Sequence, residues 1–175
     1  MTLAIHPVAD LRAARADLLA ALQGCAPSDL LTPGGDDDPW CGRDALLHMT
    51  AWLRELTVLV DDLAVYGYQR DPRLATVPWR DRTAAGVSHD PRTVRPEYAV
   101  ASLVTAHARL LSLAESIDER RLWRRGPTRF GTEISGWELL LAEAAHEREH
   151  AAQLGRQAPR SEAVCPGPGV GFYLS

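Results

Sequence analysis

Lysine is absent from this chain; all nineteen basic residues are arginine, which excludes catalysis through a lysine amine. Cysteine is scarce. The three present, Cys25, Cys41 and Cys165, are scattered and odd in number, so reduced thiols and a cytoplasmic location are expected rather than a disulfide framework. No apolar run approaches the ~20 residues needed to cross a bilayer, so no membrane partner is expected. Met1 to Arg12 contains Asp10 and lacks a basic start followed by an apolar block, so no signal peptide is expected either. A net charge of −4 and a pI near 5.8 argue against general nucleic-acid binding. β-Branched residues are sparse, few stretches alternate, and no internal repeat is visible.

What remains is helix. The chain has 175 residues, enough for one domain with a real core, and ordinary globular values of 46% hydrophobic and 24% charged residues. The first helix is expected from Pro7 to Leu22, with proline suited to the first helical position and Gly24 as the stop. The second is expected to start at Asp38 as N-cap with Pro39 behind it, and to run to Tyr66, where Gly67 ends it. Pro96 opens a third, to about Ser116. Ser135-Gly136-Trp137-Glu138 is a capping box for a fourth, which Gly155 should close. Gly67 to Arg95 is a long connection with Pro72, Pro78 and Pro91. Four helices with one long crossover between the second and third predict an all-α four-helix bundle over residues 1–157. Residues 158–175 form a Pro/Gly-rich tail.

The densest chemistry is His146-Glu147-Arg148-Glu149-His150. Histidines at i and i+4 stand about 40° apart around a helix, one turn apart, and can grip one divalent ion. His48, in the second helix, supplies a possible third nitrogen. Three imidazoles leave coordination positions open, the pattern of catalytic rather than structural sites. On the same face Leu139 lies central, with Glu143 and Gln153 within about 40° of the histidine bisector, placed to hold imidazole N–H groups. Arg148 points the opposite way. The rival meaning of His-Glu-x-x-His is a zinc protease with Glu147 as base, but the metzincin extension needs Gly at 153 and His at 156, where this chain has Gln153 and Arg156.

Other residues join the candidate site. Glu143, Glu147 and Glu55 could move protons. Trp52, one turn beyond His48, could line a pocket. His107 lies mid-stripe on the third helix among Val100, Leu103, Leu110, Leu111 and Ala114, so it faces the core either as a hydrogen-bonded histidine or as a substrate contact. Arg120, Arg121, Arg124 and Arg125 flank Trp123, with Arg129 nearby. They read as a solvated loop or, for Arg124, Arg125 and Arg129, as a carboxylate-binding mouth.

Asp44-Ala-Leu-Leu-His48-Met-Thr-Ala-Trp52 and Phe130-Gly-Thr-Glu-Ile-Ser-Gly-Trp-Glu-Leu-Leu through His146-Glu-Arg-Glu-His150-Ala-Ala-Gln153-Leu154 resemble the second helix and the final helix of the DinB/YfiT-like metal-binding bundles. The resemblance spans roughly residues 7 to 156. It implies His48, His146 and His150 as metal ligands, zinc or nickel as the ion, and a possible homodimer. It further implies a small-molecule enzyme: a transferase or isomerase using a thiol such as mycothiol or bacillithiol, or a hydrolase. A non-catalytic protein that sequesters a natural-product-like ligand is the alternative.

Overall fold

The computed structural model describes residues 6–35, 38–70, 94–128 and 132–157, with backbone alone for 33–35 and 38–40. Arg129 and the tail 158–175 lie outside the described residues. Among the described residues four long helices make the body: α1 (Pro7–Gln23), α2 (Gly42–Tyr66), α3 (Pro96–Ser116) and, after a one-turn α4 (Glu119–Leu122), α5 (Gly136–Gln157). Two hairpins decorate the ends. Strands β1 (Pro33–Gly35) and β2 (Asp38–Cys41) pair antiparallel before α2, and β3 (Arg125–Pro127) and β4 (Glu133–Ser135) pair antiparallel before α5.

Helix directions follow from side-chain neighbours. Between α1 and α5, His6 meets the Trp137 ring near one end and Cys25 reaches the Leu154 carbonyl near the other, so these two helices run parallel. Helix α2 runs against α5. A methyl of Leu154 lies beside Gly42, Trp52 donates to Glu143, and Val60 lies beside Gly136. Helix α3 runs against α1, with Arg12 on Glu115 at 2.6 Å. Thus α2 and α3 are parallel. The chain leaves α2 at one end and enters α3 at the other, a return along the ~37 Å of a 25-residue helix. That geometry requires the long Gly67–Arg95 connection.

The core is leucine-rich. Leu11 and Leu18 of α1, Leu46, Leu53, Leu56 and Leu63 of α2, Leu103 and Leu110 of α3, and Leu140 and Leu154 of α5 are all fully buried. Each contributes about 2 kcal/mol by leaving water. The amphipathic stripes therefore give the helices a large apolar interface of their own.

Two helix ends differ from expectation. Helix α2 starts at Gly42, not behind Asp38: the segment Asp38–Cys41 is held as a strand against Pro33–Gly35. Cys41 is the N-cap, and the Asp44 carboxylate accepts its backbone N–H at 3.4 Å and its thiol at 3.1 Å. Helix α5 does not stop at Gly155 but runs to Gln157. A side chain at 155 would meet nothing within 4 Å, so a solvent-facing glycine there costs only its ~1 kcal/mol of propensity while buried Leu154 anchors the turn. The capping box at Ser135 is as expected: Ser135 N–H donates to Glu138 at 2.8 Å, and Glu138 N–H donates to Ser135 Oγ at 3.2 Å. Strand signals are poor in the sequence, and the strands among the described residues are three- and four-residue pairs.

Gly67 ends α2 in the left-handed region, at φ 79°. Gly126 on β3 lies directly against it; a Cβ at 126 would stand 1.9 Å from the Gly67 carbonyl oxygen. Backbone meets backbone there, so nothing flexible can yield. Gly126→Ala should cost about 2 kcal/mol or more, measured as a fall in the urea midpoint. An unchanged midpoint would mean that β3 can lift off α2 freely.

Candidate metal centre

His48 of α2 and His146 and His150 of α5 converge because the two helices run antiparallel with Trp52 level with Glu143. One turn along from that contact, one ring nitrogen of each histidine lies within 4.8 Å of the others. The Nε2 atoms of His146 and His150 face each other at 3.1 Å. The ring centroid of His48 stands 5.7 Å from that of His146 and 5.8 Å from that of His150. Burial and then the two neighbouring imidazoles push His48 down to about 4, so it presents a neutral ring.

One opposite ring nitrogen is held by an acceptor, and the other lies near a carboxylate without hydrogen-bond alignment. Nδ1 of His150 lies 3.1 Å from Gln153 Oε1, and Nδ1 of His146 lies 3.5 Å from Glu143 Oε2. Helical spacing predicts both acceptors. The same Glu143 oxygen accepts from Trp52 Nε1. A proton held on Nδ1 leaves the Nε2 lone pair free, so the hydrogen bond to Gln153 suits His150 to hold an ion. Three convergent imidazoles, one of them held by an outer acceptor, fit a divalent ion. His146 retains 23% of its side-chain exposure, which opens the group toward solvent.

Behind the histidines the core stays polar. His107 of α3, Glu147 of α5 and Arg15 of α1 are all buried. His107 Nε2 lies 3.3 Å from Glu147 Oε1. The contact is poorly aligned as a hydrogen bond, and Arg15 Nη1 and Glu143 Oε1 also have no hydrogen-bond partner. Burial, then the Glu143 charge, pushes Glu147 up to about 8, against the opposing pull of Arg15 and Arg148. Burial, then Arg15, pushes His107 down to about 3. Both directions describe a neutral pair, not a salt bridge. Burial raises Glu143 as well, opposed by His146 and Trp52.

The remaining candidates are dispersed. Glu55 is half-buried, about 10 Å along α2 from His48. Trp52 is half-buried and holds Glu143. Arg125 pairs with Glu138 and with the Glu133 carbonyl, tying the β3–β4 hairpin to the start of α5. Arg124 donates to the Val65 carbonyl at 3.5 Å, near the end of α2. Both sit about two turns or more along α5 from His146, at the far end of the bundle. Trp123 is half-exposed and stacks on Trp137 at 4.3 Å. Arg148, expected to point away from the ligands, does so, and binds Asp10 of α1. Sequence reasoning passed over Arg15. Its signal was available: it shares the apolar stripe of Leu11, Ala14 and Leu18, where an arginine needs a buried partner.

No protein-family model matches the sequence, and no curated protein matches it. A solved structure does. YfiT from Bacillus subtilis, described as "a probable metal-dependent hydrolase with an unusual four-helix bundle topology", is similar in fold, with a TM-score of 0.68 over 88% of this chain and 85% of that one, at 18% sequence identity. The likeness shows the four-helix-bundle fold.

Two outcomes follow from the site. Elemental analysis should find about one divalent ion per wild-type chain and little in His150→Ala; equal content in both would refute the ligand assignment. The second concerns pH. Glu147 keeps in the fold, up to about pH 8, a proton that an unfolded glutamate releases near 4.5, so its contribution is lost as pH rises through 8. His107 refuses a proton that an unfolded histidine binds below 6.5, so its contribution is lost as pH falls below that value. Between 4.5 and 6.5 the Glu147 trend is opposed by those of His107 and His48, and above 6.5 the raised carboxyls Glu147 and Glu143 set the slope. Metal-free protein should therefore lose about 1–2 kcal/mol between pH 6.5 and 8 in urea unfolding. Glu147→Gln should flatten that slope, and a slope unaltered by the substitution would count against the protonated carboxyl.

Proposed function

We propose that this protein is a metal-dependent enzyme acting on a small molecule, with zinc or nickel held by His48, His146 and His150. The observation that carries the reading is the convergence of three imidazoles at a half-open position, one of them oriented by a hydrogen bond to Gln153. When bound, the ion would lower the pKa of a water or polarise a carbonyl. Gln153 orients His150, and Glu143 lies beside His146. Trp52, by donating to Glu143, keeps that carboxylate turned toward His146. The walls of α2 and α5 exclude water from the inner side, where Leu139 and Leu53 are buried.

Hydrolysis is the preferred chemistry. It is supported by the fold likeness to a protein described as a probable metal-dependent hydrolase. Thiol transfer has less support, because Arg124 and Arg125, the groups suited to an anionic thiol, are bonded at the far end of the bundle. A second reading, ligand capture without turnover, is favoured by one observation. Glu143 and Glu147 are each engaged with protein partners, which leaves neither as a ready base.

Ester, amide and phosphoester chromogenic probes, and an electrophilic probe with and without a low-molecular-weight thiol, separate these readings. Chelation should abolish hydrolytic turnover while leaving the helical circular dichroism intact, and added zinc or nickel should restore it. His48→Ala should lower turnover at least about 100-fold, since even outer partners of a metal ligand are worth 10- to 100-fold. Thiol-dependent conjugation would shift the assignment to a transferase. Stoichiometric capture of a probe without turnover would support sequestration, and loss of helix on chelation would make the ion a structural staple.

A further inference from the structure

The contact between His107 and Glu147 is a buried polar feature that the metal-site reading leaves without a role. It lies where three helices meet. Glu147 follows His146 directly and precedes His150 by three residues, so its side chain leaves α5 on the flank next to both. It is fully buried and meets His107 of α3 at 3.3 Å. A buried polar pair with unmet hydrogen-bonding capacity is a poor device for stability alone; apolar side chains of the same size pack at least as well. What such a pair supplies is direction. Leucines tolerate a helix turned a few degrees either way, whereas a carboxyl and an imidazole must stay within reach of one another.

We propose that His107 is a positioning residue of the metal centre: its buried contact with Glu147 sets the rotation of α5 about its axis and, through it, where His146 and His150 point. The proposal rests on the metal reading above. The geometry makes it sensitive. An imidazole nitrogen stands ~6 Å from the helix axis, so a turn of about 20° moves it by about 2 Å. Metal–ligand distances tolerate only about 0.2 Å. The surface tie of α5 to α1 is a weaker guide to rotation. Arg148 is long, flexible and 40% exposed where it meets Asp10. Glu143, on the ligand face, is tied to Trp52 of α2 and acts on the rotation together with Glu147.

The test is Co(II) affinity of the purified full-length protein, by competition with a chromophoric chelator, together with the visible absorption of the bound ion. His107→Leu should bind Co(II) 10- to 100-fold more weakly and give an altered spectrum, with helical circular dichroism unchanged. His107→Gln, which keeps an N–H within reach of Glu147, should recover most of the affinity and the wild-type spectrum. Should His107→Leu fail to fold, Glu147→Met cuts the same contact from α5 with a side chain of similar length and is read in the same way. Affinity and spectrum equal to wild type in the folded leucine or methionine variant would overturn the proposal while the metal reading stands. Equal loss in the leucine and glutamine variants would also overturn it, because the contact would then not be what matters. Wild-type protein that takes up no Co(II) would overturn the metal reading itself, and this proposal with it.

Discussion

Successive side chains on one stretch of α5 leave in different directions, and each meets a different helix. His146 and His150 face His48 of α2, Glu147 faces His107 of α3, and Arg148 faces Asp10 of α1. One helix thus carries the polar contacts that register all the others. A rigid rod with 100° between residues couples these contacts: none can shift without turning the rest. The leucine core supplies the attraction between helices, but it does not discriminate finely among rotations. The polar side chains of α5 do.

The polar layer has an energetic cost that the fold must offset elsewhere. Glu143, Glu147, His48, His107 and Arg15 are buried at one level of the bundle, and several of their atoms lack hydrogen-bond partners. Each such atom costs on the order of 1–3 kcal/mol. More than a dozen buried aliphatic side chains above and below this level offset it. A bundle selected only for stability would fill the layer with leucine. Concentrating the expense at the level of the three histidines is what a functional site requires.

The helices were legible in the sequence because their signals are local. Pro7 and Pro96 open helices, Gly67 ends one, and Ser135 with Glu138 caps another. The three histidines were legible because an i, i+4 pair is a local pattern, and its partner acceptors Glu143 and Gln153 fall at helical spacings from it. What could not be read depends on contacts between segments far apart. Asp38 and Pro39 have the local chemistry of a helix start, yet strand pairing with Pro33–Gly35 displaces the start to Gly42. Glu147 has the sequence position of a protease base, yet its side chain turns to His107, 40 positions earlier in the chain. The arginines near Trp123 looked like a mouth for anions, and Arg124 and Arg125 prove to be bonded to backbone carbonyls and Glu138.

The parallel pairing of α1 with α5 has a consequence for how the chain reaches its native state. Cys25 and Leu154, in contact near the ends of these helices, are 129 residues apart in sequence. During synthesis the first helix therefore waits for the last, its Leu11, Ala14 and Leu18 without their final cover until α5 has emerged. The ligands follow the same order, His48 early and His146 and His150 late. A bound ion would thus report that the C-terminal helix has docked, and a chain cut short before α5 would expose an apolar stripe suited to chaperone capture.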